Sequence, residues 1–196
     1  MLMRKATVKR TTKETDIEIT INLDGTGKAD ISTGIGFFDH MLEGFAKHGF
    51  FDLTVKVKGD LVVDGHHTVE DTGIVLGEAI MKALGDKAGI RRFGNFTLPM
   101  DDALVLCSID LCGRPYLGYD LTLLTEKVGE FETELAREFF YALSYGAMMN
   151  LHLKQFSGEN THHIIEASFK AFGKALDQAT GFDERVKGVL STKGKL

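Results

Sequence analysis

The chain reads as α+β, two similar βββαβα halves packed as one body. One observation behind this is an internal repeat. Aligning "HHTVEDTGIVLGEAI", from His66, with "HHIIEASFKAFGKAL", from His162, gives five identities in fifteen positions at an offset of 96. Both histidines, the glutamate, a glycine and an alanine are shared. Upstream, "FFDHMLEGFAKHG" before "FDLTVKVKGD" answers to "LAREFFYALSYGA" before "MNLHLKQFSGE", with Leu53 on Leu151 at an offset of 98. Weak identity in a consistent order is what a duplicated supersecondary unit leaves behind. The other observation is periodicity, which switches between strand-like and helix-like in the same order in both halves. No flexible linker separates them, so residues 1–92 are expected to form the first half and residues 93–196 the second.

The elements follow in order. "TDIEITINL" alternates Ile17, Ile19, Ile21 and Leu23 on one face, a half-buried strand. The turn "DGTG" leads to a short strand over residues 29–32. Residues 37–47 place Phe38, Met41, Leu42 and Phe45 on one helical stripe. "DLTVKVKGD" is a strand again, and residues 67–84 form a helix begun in the first histidine doublet. The second half offers strands near "NFTLP", "ALVLCSIDL" and "PYLGYDL", a helix over residues 132–149, the strand "NLHLKQF" and a helix from Thr161. Antiparallel pairing is expected in both halves.

Bulk properties narrow the function. A formal net charge of −5 argues against nonspecific nucleic-acid binding, which depends on basic patches. No apolar run approaches the roughly 18 residues of a membrane span. The start "MLMRKATVKRTT" lacks the apolar core of a secretory signal. Cys107 and Cys112 sit in an apolar stretch and read as core residues of a reduced, cytoplasmic protein.

The doublets carry the chemistry. In "HHTVE" the first His and the Glu are four apart, on one helical face. Adjacent histidines point about 100° apart and are unsuited to chelating one ion, so each doublet serves two metals. His66, His67 and Glu70, with His162, His163 and Glu166, are ligand candidates for Zn²⁺, Mn²⁺ or Fe²⁺. A helix N-terminus disfavours imidazolium, which keeps such histidines neutral and able to ligate. The offset of 98 also sets His40 on Glu138, ligand chemistry at both positions. A single His-His pair is more often a solvated or capping feature; its recurrence in register reverses that reading. Structural zinc sites lean on thiolates, and no Cys takes part, which favours a catalytic role.

Arg92, Arg114, Lys170, Ser191 and Lys193 form the set a phosphate group would want. Each alone reads as an ordinary surface residue. His152, in "NLHLK", reads as a strand-face residue.

Together "ETDIEITINLDGTG", "GIGFFDHML", "KHGFFD", "DGHHTVEDTG", "GIRRFG", "NTHHIIEASFKA" and "STKGK" resemble the imidazoleglycerol-phosphate dehydratase family across essentially the whole chain. The resemblance implies a ribosomal protein S5 domain 2-like fold with a left-handed βαβ crossover and a cage of 24 subunits with sites between neighbouring chains. It also implies two Mn²⁺ ions per site. Carried over by motif, the metal ligands are His40, His66, His67, Glu70, Glu138, His162, His163 and Glu166. Substrate contacts are Glu14, His40, His48, Arg92, Arg114, Lys170, Ser191, Thr192 and Lys193. Many members read "EHFF" where this chain reads "EFF", so Glu138 replaces a histidine; a carboxylate still suits Mn²⁺. The implied reaction converts imidazole glycerol phosphate to imidazole acetol phosphate in histidine biosynthesis. Glu14 is the first candidate for the base, with Glu70 and Glu166 next. A metal-dependent phosphatase and a noncatalytic metal-binding protein are the rival readings.

Overall fold

The computed structural model describes residues 4–196. Each half is a four-stranded sheet with two helices. The first comprises β1 (Lys5–Thr11), β2 (Thr15–Asn22), β3 (Ala29–Ser32), α1 (Gly36–Gly49), β4 (Asp52–Gly59) and α2 (His66–Leu84). The second comprises β5 (Phe93–Met100), β6 (Ala103–Asp110), β7 (Tyr116–Asp120), β8 (Lys127–Val128), β9 (Phe131–Glu132), α3 (Leu135–Gly146), β10 (Asn150–Ser157) and α4 (Thr161–Thr180). Sheet orders are β1-β2-β4-β3 and β5-β6-β10-β7, the same topology twice. That identity of order is the duplication seen at the level of backbone pairing.

Pairing is mixed rather than antiparallel throughout. β3 runs parallel to β4, and β7 parallel to β10. A helix lies between the strands of each parallel pair, as a parallel connection requires a crossover. Three further differences from the sequence reading have local causes. β1 carries only one buried side chain, Val8, so it shows no apolar alternation, and its lysines and arginine suit an exposed edge. The hairpin β8–β9 turns at Gly129, at φ +60°, and has no counterpart among the described residues of the first half. Its return strand takes Phe131 and Glu132, so α3 starts at Leu135 rather than at residue 132 and ends at Gly146.

The helices of each half lie on their own sheet and meet across the molecule, α1 against α4 and α2 against α3. Phe38 of α1, Phe131, Phe139 of α3 and Phe169 of α4 are buried at this junction, with ring centroids 5.0–6.4 Å apart in successive pairs. Each fully buried large apolar side chain contributes roughly 1.5–3 kcal/mol, so the junction is one core and not a seam. Cys107 and Cys112 are buried and unpaired, and burial pushes the Cys107 thiol up. Among the described residues no helix is long and apolar enough to cross a membrane.

The glycine shared by the repeat has a matching task in both copies. A Cβ on Gly77 would lie 2.6 Å from the Leu143 carbonyl oxygen of α3, and one on Gly173 would lie 2.6 Å from the Phe45 carbonyl oxygen of α1. Leu143 and Phe45 are themselves equivalent in the repeat, so one close crossing occurs twice.

Candidate active site

The α1·α4 crossing brings both halves to one point. His40, on α1, faces His162 and Glu166, four apart on α4. Among the described residues these form the one group of three or more metal-type side chains whose ligand atoms lie within 4.8 Å of one another. His162 Nε2 is 3.0 Å from Glu166 Oε2, and His40 Nε2 is 3.7 Å from Glu166 Oε1. Phe37 packs edge-on to the His162 ring at 5.1 Å. Lys170, one turn on, places Nζ 2.7 Å from Glu166 Oε1. Burial pushes the Glu166 carboxyl up, but Lys170, His162 and His40 together outweigh it and hold the carboxyl below its usual range. His48, near the end of α1, is held below the usual imidazole range by burial and by Lys170 and Lys174.

At the start of α2, His66 Nε2 lies 3.7 Å from Glu70 Oε2, repeating the i,i+4 geometry of α4. The doublet rings stand nearly perpendicular, at 87° for His66 and His67 and 81° for His162 and His163, so the members of each pair face different directions. His67 turns Nδ1 to Asp60 at 3.0 Å and Nε2 toward Glu14 Oε1 at 3.9 Å. Glu14 occupies the β1–β2 turn, where the Thr12 hydroxyl accepts the N–H groups of Glu14 and Thr15. Asp71 ties that turn to α2, accepting from the Thr15 hydroxyl at 2.5 Å and pairing with Arg10.

One expectation needs correcting here. At His67 the helix-end effect is opposed: the hydrogen bond to Asp60, with Glu14 and Asp64 close by, pushes the imidazole above its usual range. A nearby carboxylate outweighs the partial charge of a helix end. His163 has the same pattern of neighbours, Asp102 at 2.7 Å from Nδ1 and Asp101 at 3.5 Å from Nε2. Glu138 is half-buried and pairs with its neighbour Arg137 at 3.3 Å.

The basic residues divide. Arg92 sits at φ +71°, a strained backbone for a non-glycine residue. Its guanidinium donates to both Asp110 carboxylate oxygens at 2.7 and 3.0 Å and to the Leu190 carbonyl at 2.8 Å. The C-terminal segment runs alongside, bridging Val189 to Ala88. Arg92, Phe93, Leu190, Ser191 and Thr192 thereby line one groove of about 810 Å³. The tail ends against Gly113, beside the exposed Arg114. Lys170 belongs instead with Glu166, and the exposed Lys193 donates its backbone N–H to the Ser191 hydroxyl. The described chain therefore gathers one part of the expected set at α1·α4, a second at the start of α2 and a third along the tail.

Asp60, Asp101 and Asp102 escaped the sequence reading. Asp102 is 61 residues from the histidine it touches, so no local spacing links them. Only Asp60, shortly before its doublet, left a signal nearby.

Residues 33–176 match the family model described as imidazoleglycerol-phosphate dehydratase. The chain belongs to this family. An imidazoleglycerol-phosphate dehydratase of Lachnoclostridium phytofermentans is 68% identical over 97% of both chains, and one of Acetivibrio thermocellus is 63% identical over 98% of this chain and 99% of that one. Among solved dehydratases of this family, the Staphylococcus aureus structure superposes with a TM-score of 0.83 at 39% identity, covering 91% of this chain and 99% of that one. The Pyrococcus furiosus structure gives the same TM-score at 43% identity, covering 96% of this chain and all of that one.

Proposed function

We propose that this enzyme dehydrates imidazole glycerol phosphate to imidazole acetol phosphate in histidine biosynthesis with the help of two Mn²⁺ ions. The convergence of His40, His162 and Glu166 from separate halves is the observation that carries this reading. The donor set suits the ion: imidazole nitrogen and carboxylate oxygen without thiolate match a fairly hard divalent cation. His40, His162 and Glu166 would hold one cation, and His66, His67, Glu70, Glu138 and His163 supply further ligands. When bound, such cations offset the charge of a substrate ring carried as imidazolate.

The chain's own residues supply the rest. The proton to be removed lies beside a hydroxyl rather than a carbonyl, so the ring must supply the activation. Loss of the hydroxyl from the carbon next to the ring gives a diazafulvene-type intermediate whose neighbouring C–H is acidic. Glu14 takes that proton, and the enol tautomerises to the ketone. Its carboxylate, at the tip of the β1–β2 turn, approaches His67 and is kept out of the ligand set, where coordination would lower the basicity of Glu70 or Glu166. Glu14→Gln is expected to lower turnover by about 10²–10⁴-fold with Mn²⁺ content unchanged; undiminished turnover removes Glu14 from this role.

Arg92, Arg114, Ser191, Thr192 and Lys193 are proposed to hold the phosphate, with Lys170 and His48 on the ring side. The groove lined by Arg92, Ser191 and Thr192 includes none of the ligand candidates. That separation supports sites completed by neighbouring copies, in an assembly we take to be of 24 subunits. Sedimentation of the purified protein tests the assembly, and a monomer that turns over at full rate overturns it.

The direct test is turnover by EDTA-stripped protein before and after Mn²⁺ is restored, following the ketone. Recovery by Mn²⁺ is expected. Bound Mn²⁺ without ketone overturns the proposal, and release of inorganic phosphate would identify a phosphatase instead.

A further inference from the structure

The second histidine of each doublet is held the same way by residues that the duplication does not relate. Asp60 follows β4 and meets His67 Nδ1 with both carboxylate oxygens, at 3.0 and 3.2 Å. Asp102 lies in the β5–β6 turn and meets His163 Nδ1 at 2.7 Å. The residue aligned with Asp60 in the second half is Gly158. Two unrelated loops thus deliver an aspartate to the same imidazole atom. An ionised carboxylate only accepts hydrogen bonds, so Nδ1 must carry the proton in both rings. A neutral ring protonated there has its lone pair on Nε2, the nitrogen that lies 3.9 Å from Glu14 in one half and 3.5 Å from Asp101 in the other.

We infer that Asp60 and Asp102 are positioning residues that fix the tautomer and rotation of His67 and His163, so that Nε2 is the nitrogen offered to a cation. The inference rests on the proposed metal-binding role of the doublets. It explains why, among the described residues, only the second histidine of each pair receives an Nδ1 partner. The first is set by Glu70 or Glu166 on its own helix face, whereas the second points away from that face and needs support from another element. A hydrogen-bond partner at the remote nitrogen orients the ring and raises its basicity as a ligand. Asp102 has an added task, because its Oδ2 accepts the N–H groups of Glu159 and Asn160 at 2.7 and 3.0 Å. It anchors the loop that starts α4 and orients His163 with the same carboxylate.

The test uses full-length protein with Asp60→Ala, Asp60→Asn and Asp102→Asn, beside His67→Asn and His163→Asn as references. Asp60 is the cleaner position, since its carboxylate has His67 as its hydrogen-bond partner and its replacement leaves the α4 loop alone. One readout is the ring-nitrogen ¹⁵N shift of the two histidines in EDTA-stripped protein at alkaline pH, which reports the tautomer without metal. The other is the Mn²⁺ dissociation constant by chelator competition. The wild type is expected to show protonated Nδ1 in both rings. Asp60→Ala should move His67 toward the Nε2-protonated form and weaken Mn²⁺ binding about 10–100-fold. Asp60→Asn, which keeps an acceptor oxygen, should restore the tautomer and part of the affinity. The wild-type tautomer and affinity in Asp60→Ala, with binding lost in the histidine variants, would overturn the positioning role and leave the metal reading intact. Unchanged Mn²⁺ binding in the histidine variants would overturn both.

Discussion

At the α1·α4 crossing Gly173 meets the carbonyl of Phe45, and at the α2·α3 crossing Gly77 meets that of Leu143 at the same separation. The side chains laid over this common backbone differ. Beside the first crossing His40, His162 and Glu166 converge; beside the second, Glu138 turns to Arg137 while His66 stays with Glu70. An imidazole can approach a carboxylate as a hydrogen-bonding or ionic partner, whereas Glu138 and Glu70 repel each other at short range. Gathering them requires a cation between them. Both copies keep the backbone contact, which tolerates no extra atom, while the side chain beside it differs, His40 in one and Glu138 in the other.

The largest expected effect comes from exchanging the side chains at the two proposed ligand positions. His40→Glu would set a second carboxylate against Glu166 and should lower kcat/KM by about 100-fold or more, ~2.7 kcal/mol in transition-state stabilisation. Glu138→His should cost less than about tenfold, ~1.4 kcal/mol. Steady-state kinetics with Mn²⁺ present decides; equal losses in the two variants would mean that the crossings do not differ as described.

The helix contacts should behave alike where the side chains beside them do not. Gly77→Ala and Gly173→Ala each force a Cβ against a backbone carbonyl, and each should cost about 1–3 kcal/mol by chemical denaturation. A gap well above ~1 kcal/mol between the two would show that the crossings are not energetically equivalent.

The smallest effect is a titration confined to α1·α4, since the residue aligned with His48 is Gly146. Burial, Lys170 and Lys174 depress the His48 pKa, so its neutral form is favoured in the folded chain. This contribution to stability is fully present above the unfolded value of about 6.5 and is lost as pH falls through the lower folded value. Urea midpoints should therefore decline across that window in the wild type and less so in His48→Gln. Parallel curves would remove His48 as the source.

Sequence periodicity made β2, β6 and the helices legible because their buried positions repeat, as Ile17, Ile19 and Ile21 do. β1 was not legible because its pairing with β2 is by backbone and only Val8 is buried. Repeat alignment identified His40 and Glu138 as equivalents but could not show what each touches. Equivalence within a duplicate does not specify contact across it. His40 meets the second-half helix, a fact that emerges only when α1 packs on α4. Asp60 and Asp102 were hidden for a related reason, since their partners share neither a helical turn nor a strand register with them.

The aromatic junction has a consequence during synthesis of the chain. Phe38 of α1 finishes its packing only against Phe131, Phe139 and Phe169, all made later. At ordinary translation speeds the stretch from the end of α2 to the end of α4 takes on the order of 5–20 s to emerge. For that interval the inward faces of α1 and α2 lack the helices that cover them in the finished fold. The later half is the missing cover, so a chain halted there would leave the Phe38 ring without its three aromatic partners.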